Sequence, residues 1–153
     1  MSDQPQMSIL DHKLKNVIEF RLPSDPKILK VVRLTTAYIA EMVGFDQNEQ
    51  NSIKLAVDEA CANIIKHAYE NRYDGPITVT CRMLTNGIEI VLNDFGKKVK
   101  KGEIQSRDLD DVRPGGLGVH LIESIMDEVI YEDAGDEGNN LKLRKYKKDK
   151  ERS

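Results

Sequence analysis

Tryptophan is absent from this 153-residue sequence, and phenylalanine occurs only three times. A nucleic-acid binder needs flat side chains for bases to stack on and an excess of cations for phosphates. With a formal net charge of −3, neither need is met, and direct nucleic-acid binding is not expected. Cysteine is limited to Cys61 and Cys81, each inside an apolar pattern. Two residues so placed make neither a disulfide framework nor a zinc site, and they read as buried thiols. The three histidines, His12, His67 and His120, are too scattered for a metal cluster. No apolar run approaches the ~20 residues that cross a bilayer, so no membrane association is expected. The opening MSDQPQMSILDHKLK has no basic start followed by an apolar stretch, and the expected location is cytoplasmic. Gly-x-x-x-x-Gly-Lys-Ser/Thr, Gly-x-Ser-x-Gly, His-Glu-x-x-His and Cys-x-x-Cys are also missing. Walker-type phosphate loops, α/β-hydrolase elbows and zincin sites are thereby excluded.

What is present fits one domain with a sheet and a covering layer of helices. Residues 1–14 are polar and read as a flexible N-terminal segment, 15–146 as the folded domain, and 147–153 as a basic tail ending the run KLRKYKKDKERS. Ile18, Phe20 and Leu22 alternate with Val17, Glu19 and Arg21, which predicts a strand. A helix follows, started by Ser24 or Asp25 with Pro26 in its first turn, and stopped by Gly44. Its apolar positions are read as Ile28, Val31, Val32, Thr35, Ile39 and Met42. Asp46 and Glu49 form a capping box for a second helix, with a stripe of Ile53, Ala56, Val57, Ala60, Ile64 and Ala68. That helix should end near residues 69–73, before the turn signal Asp74-Gly75-Pro76. Residues 76–93 alternate as two strands around Asn86-Gly87, a hairpin signal. Between Asp94 and Gly115 the apolar signal nearly vanishes, which marks a long binding loop or lid. Helical spacing returns at Val119, Ile122, Ile125 and Met126. Val129, Tyr131, Leu141 and Leu143 read as a closing hairpin. The expectation is an α+β two-layer sandwich, a mostly antiparallel mixed sheet covered on one face by three helices.

Four clusters could carry chemistry. Glu59, Asn63 and His67 recur every four residues and share a helix face. The carboxamide oxygen of Asn63 suits Mg²⁺, and Glu59 one turn away could take a proton. Taken alone, the same three could simply bond nearby backbone. Asp94-Phe95-Gly96 ends a strand, where a carboxylate can accept from an exocyclic amino group and Gly96 lets the backbone pass close to a ring. Gly115-Gly116-Leu117-Gly118 stands before a helix, where bare amides and the helix dipole favour phosphate. Lys97, Lys98, Lys100, Lys101 and Arg113, with Lys66 on the helix, supply positive charge near such a site, or a solvated surface.

In this order the clusters resemble the Bergerat-fold ATPase superfamily, and within it the bacterial anti-sigma factor serine/threonine-protein kinases. The likeness spans roughly residues 15–146. It rests on Glu59-Ala-Cys-Ala-Asn63-Ile-Ile-Lys66-His67-Ala-Tyr69, on Asp94-Phe95-Gly96, and on Gly116-Leu117-Gly118 followed by HLIESIMDEV. The resemblance implies ATP and Mg²⁺ as cofactors. It implies Asn63 as the metal-binding asparagine and Glu59 as the catalytic base. Lys66 would stand near the phosphates, where adjacency to the other clusters also places Arg113, with Asp94 at the adenine amino group and Gly96 beside the ring. Gly116, Leu117 and Gly118 would shape the lid. It further implies a kinase acting on a small anti-sigma factor antagonist protein, a sigma factor as the sequestered partner, and a homodimer. A non-catalytic nucleotide-binding regulatory module is the alternative. Three positions depart from the family pattern: Lys98 where a second glycine is common, Pro114 where a basic residue is common, and Gly138-Asn139-Asn140 where a threonine often sits near the adenine.

Overall fold

The computed structural model describes residues 15–98 and 114–148, and of residues 114–119 the backbone alone. The period-2 runs become five strands: β1 (Val17–Pro23), β2 (Pro76–Leu84), β3 (Gly87–Asp94), β4 (Glu128–Asp133) and β5 (Asn139–Tyr146). They lie in the order β1-β2-β3-β5-β4, and every pairing among the described residues is antiparallel. Three helices, α1 (Leu29–Val43), α2 (Gln47–Asn63) and α3 (Pro114–Ile125), cover one face. None of the described helices is long and apolar enough to cross a membrane.

The register explains why only one face is covered. Leu22 faces Ile77, Cys81 faces Ile90, and Ile90 faces Leu143, so successive strands send aliphatics to the same side. Against them pack Val32 and Ile39 of α1, Ile53 and Val57 of α2, and Ile122 of α3, all fully buried. Cys61 and Cys81 belong to this core as free thiols, and burial pushes both up to about 12. The opposite face carries a row of charges in register, Arg82, Glu89, Arg144 and Glu128. Arg144 bonds Glu89 and Glu128 at 2.7 Å each, and Arg82 reaches Glu89 at 3.3 Å. Each fully buried aliphatic contributes about 1.5–3 kcal/mol, and each solvent-washed ion pair about 0–1 kcal/mol. The inner aliphatics therefore fix which face the helices cover, and the outer charges refine register.

The capping box forms as its spacing predicts. Asp46 Oδ1 accepts from Glu49 N at 2.8 Å, and Glu49 Oε1 accepts from Asp46 N at 3.2 Å. Gly44 ends α1 in the left-handed region at φ 112°. Three local readings shift. Pro26–Ile28 is a 3₁₀ turn, so the phase of α1 is set from Leu29, and Leu29, Val32, Thr36, Ile39 and Ala40 are buried. Val31 and Met42, read as core, are 51% and 48% exposed, beside exposed Leu34 and Tyr38. The β2–β3 hairpin closes through Thr85 and Asn86, one residue earlier than Asn86-Gly87, because Leu84 pairs with Gly87. Gly87 is small for a different reason: a Cβ there would meet the backbone of Lys145 on β5. Lastly, most basic residues of KLRKYKKDKERS are structural. Lys142 pairs with Glu132, Arg144 bridges β3 and β4, Lys145 Nζ caps Ile125 O, and Lys147 Nζ caps Val43 O.

Candidate functional site

The second helix does not stay α-helical to its end. After Asn63 the chain makes one π turn, Ile64–Ala68, closed by Tyr69 N donating to Ile64 O at 3.1 Å. Such turns widen a helix by one residue and recur at functional sites. Here Ile64, Ile65 and Ala68 stay buried, while Asn63 and His67 are only half-buried. The carbonyl of Ala68, left orphaned by the helix end, accepts from Lys97 N at 2.6 Å. Tyr69 turns inward and joins two strands: its hydroxyl donates to Pro76 O at 2.6 Å and accepts from Phe95 N at 2.8 Å. Residues 95–97, which leave β3, are thereby sewn to the end of α2.

This stitching fixes Asp94, the last residue of β3. Asp94 is 4% exposed, and its Oδ1 accepts from Gly96 N at 2.9 Å and from Asn139 Nδ2 at 2.8 Å. Burial pushes its carboxyl above the usual carboxylate range, and Asn139, the Gly96 amide and Lys98 pull it back. Gly96 is needed for packing: a Cβ there would collide with the carbonyl of Ala68. Gly138, at φ 91°, lets the β4–β5 connection close onto the Asp94 carbonyl in the same manner. Gly96→Ala is expected to lower stability by about 1–3 kcal/mol, as overpacking against immobile backbone does. Chemical denaturation reads this directly.

Between the π turn, the end of β3 and the start of β5 lies a half-open cleft. Asn63, His67, Asp94 and Asn139 supply its polar edge, Ala60, Ile64, Ala68, Tyr131 and Leu141 its apolar wall, and Asn140 joins the lining without turning its amide inward. A mostly apolar concavity with a few convergent polar groups is the usual form of a small-molecule site. An acceptor at Asp94, an apolar slot for a ring, and an oxygen at Asn63 could hold a base at one end and a metal-bound phosphate at the other.

The structure brings together Asn63 and Asp94, which are 31 residues apart in sequence, and adds Gly96 as the packing joint beside them. Glu59 is half-buried one turn before Asn63 and is not among the lining residues. Burial first, then the neighbouring Asp58 carboxylate, push Glu59 up. Asp58 itself faces Arg33 of α1 at 3.1 Å. Lys66 is exposed on the π turn and also lies off the lining. Arg113, Lys100 and Lys101 lie outside the described residues. Lys98 does not stand as a free cation. Its Nζ pairs with Asp133 at 2.8 Å and donates to Gly138 O at 2.8 Å and Gly135 O at 3.1 Å, which locks the segment after β3 to the β4–β5 connection. Gly116, Leu117 and Gly118, expected in a loop before the helix, stand inside the first turns of α3, which starts at Pro114. Proline is preorganised for that first position. The bare amides of a helix start then fall at Gly115 and Gly116.

Sequence reasoning missed Tyr131, Asn139 and Leu141 as lining residues. The strand register that aligns Asp94 with Asn139 carries that information, and a single strand's pattern does not. Gly138-Asn139-Asn140 stands where the family pattern has a threonine near the adenine, and the sequence alone does not say which asparagine turns inward. Strand alternation decides: Asn140 faces Asn93 in register, and its Oδ1 accepts from Asn93 Nδ2 at 2.8 Å on the outer face, whereas the side chain of Asn139 meets Asp94 on the inner one.

Residues 22–145 match the sequence profile of the histidine kinase-like ATPase domain. Among curated proteins, the serine-protein kinase RsbW of Bacillus velezensis is 30% identical over 137 residues, covering 84% of each chain. The serine-protein kinase RsbW of Listeria innocua is 34% identical over 143 residues, covering 88% of this chain and 89% of its own. That of Staphylococcus aureus strain Newman is 36% identical, covering 79% and 82%. Among solved structures, the histidine kinase domain of a blue-light activated histidine kinase from Erythrobacter litoralis superposes with a TM-score of 0.50 at 15% identity. It covers 81% of this chain, which spans 61% of that longer one, and the likeness is one of fold.

Proposed function

Because this chain belongs to the histidine kinase-like ATPase domain family, we propose that it is an ATP-dependent serine/threonine protein kinase whose nucleotide site is the cleft lined by Asn63 and Asp94. The observation that carries the reading is their convergence: a carboxamide from the end of α2 and a buried carboxylate from the end of β3 face one apolar slot. The match to named serine-protein kinases, over 79–88% of this chain, supports the reaction type.

In this reading the adenine enters between Ile64, Ala68 and Leu141, and its amino group donates to Asp94. Mg²⁺ fits the remaining donor set, since the carboxamide of Asn63 accepts no hydrogen bond from the described residues and this ion takes one or two protein oxygens beside phosphates. When bound, the ion would neutralise charge developing on the transferred phosphoryl group. Glu59, one turn back along α2, receives the proton of the incoming serine or threonine hydroxyl. The new O–P bond forms as the bond to the ADP oxygen breaks, and the protein's part is positioning and charge. The substrate is a small anti-sigma factor antagonist, with a sigma factor as the second partner and a homodimer as the assembly.

Asp94→Ala is expected to weaken ATP binding by about 1.5–3 kcal/mol while leaving GTP affinity nearly unchanged, the loss of one bond to a charged acceptor. Calorimetry with both nucleotides checks this. The kinase reading itself is tested by incubating the protein with γ-labelled ATP and candidate antagonists. Label on a serine or threonine of the antagonist supports it. Tight ATP binding with no label on any candidate would favour a regulatory module that holds nucleotide without transferring phosphate.

A further inference from the structure

Asn139 stands opposite Asp94 in the β3–β5 register, so both side chains leave the sheet toward the helices. Its Nδ2 lies 2.8 Å from Asp94 Oδ1, 3.2 Å from Lys97 O and 3.4 Å from Gly96 O. All three neighbours are acceptors, so the amide can sit only one way round, nitrogen inward. Asp94 Oδ1 also accepts from Gly96 N at 2.9 Å. Two donors thus hold one carboxylate oxygen, and no described residue donates to Oδ2. The terminal torsion of an aspartate is otherwise broad and nearly two-fold. Without Asn139, the carboxylate would keep one anchor, from a glycine two residues along the same chain.

We propose that Asn139 is a positioning residue for base recognition: its amide fixes the Asp94 carboxylate in one rotation, with Oδ2 free to accept from the exocyclic amino group of a purine. The same amide ties the carbonyls of Gly96 and Lys97 to β5, so the carboxylate and the backbone beyond it are held as one unit. The other charged or titratable groups here have different work. Lys98 is paired with Asp133, the Tyr69 hydroxyl serves Phe95 and Pro76, and His67 lines the cleft from the π turn. Burial pushes Asp94 up, and Asn139 is the largest counterweight, which helps keep an acceptor rather than a donor facing the slot. The inference rests on the cleft being the nucleotide site.

The test compares Mg-ATP with Mg-purine riboside triphosphate, which lacks only the 6-amino group, by titration calorimetry. The proteins are wild type, Asn139→Ala, the near-isosteric Asn139→Leu, and Asn93→Ala. Asn93 is the control, because its Nδ2 also makes cross-strand bonds, to Glu137 O, Asn139 O and Asn140 Oδ1, but on the outer face. Wild type is expected to prefer ATP by about tenfold or more, the effect of one bond to a charged acceptor. Both Asn139 variants should drop that preference to about threefold or less, and Asn93→Ala should retain it. Should either folded Asn139 variant keep the full preference, the positioning role is overturned while Asp94 keeps its own. An equal loss in Asn93→Ala would also overturn it, by tracing the effect to a loosened strand pair. Equal binding of the two nucleotides by wild type would overturn the adenine site and this inference with it.

Discussion

Glu59→Gln is expected to slow phosphoryl transfer by about 10²–10⁴-fold while leaving Mg-ATP affinity within about threefold, the pattern of a base that acts only as the hydroxyl reacts. Glu59 lies off the cleft lining, one turn before Asn63, so its loss should not disturb the slot that holds the nucleotide. Its environment also sets a pH signature. Burial and the Asp58 carboxylate raise its pKa above the ordinary carboxylate range. A base works when deprotonated, so the rate is lost as pH falls through that raised value. The acid limb of the rate profile should therefore lie above the usual carboxylate range and be absent from the residual activity of Glu59→Gln. Asp58→Asn removes one of the two causes and should move the limb down. A Glu59→Gln rate equal to wild type would remove Glu59 from the chemistry.

The second large effect concerns Asn63. Asn63→Leu keeps the volume and removes the oxygen. ATP affinity measured with Mg²⁺ should then fall to the value measured with a chelator, a loss of about 1.5–3 kcal/mol, the scale of one contact to a charged partner. Asn63→Asp restores a hard oxygen ligand and should restore the metal dependence. The pair separates a metal role from simple lining: if Asn63→Leu still binds ATP better with Mg²⁺ than without, Asn63 does not hold the ion.

Much of the scaffold was legible because local rules and tertiary packing agree. The alternation in residues 17–22 and 76–93 gives three strands, and Asp46 with Glu49 gives the start of α2. The stripe from Ile53 to Ala68 is buried throughout. What escaped depends on contacts between distant segments. The π turn at Ile64–Ala68 has no signature in composition, and its orphan carbonyl is answered only by Lys97. Asn86-Gly87 invites a turn, yet β5 passes so close to Gly87 that the glycine is taken into the strand. Lys98, which the sequence leaves open between charge near a phosphate site and a solvated surface, is instead held by Asp133, Gly135 and Gly138. At the site, Asn63 and Asp94 could be named from spacing and strand ends, whereas Asn139 emerges only from the pairing of β3 with β5.

The most direct measurement is an amide-resolved NMR titration of the protein with Mg-ATP. Saturable shifts are expected at residues 63–69, 94–98 and 138–141, with the outer charge row of Arg82, Glu89 and Arg144 unmoved. Spectra unchanged at millimolar Mg-ATP, or shifts confined to that outer row, would contradict an ATP site between the end of α2 and the end of β3.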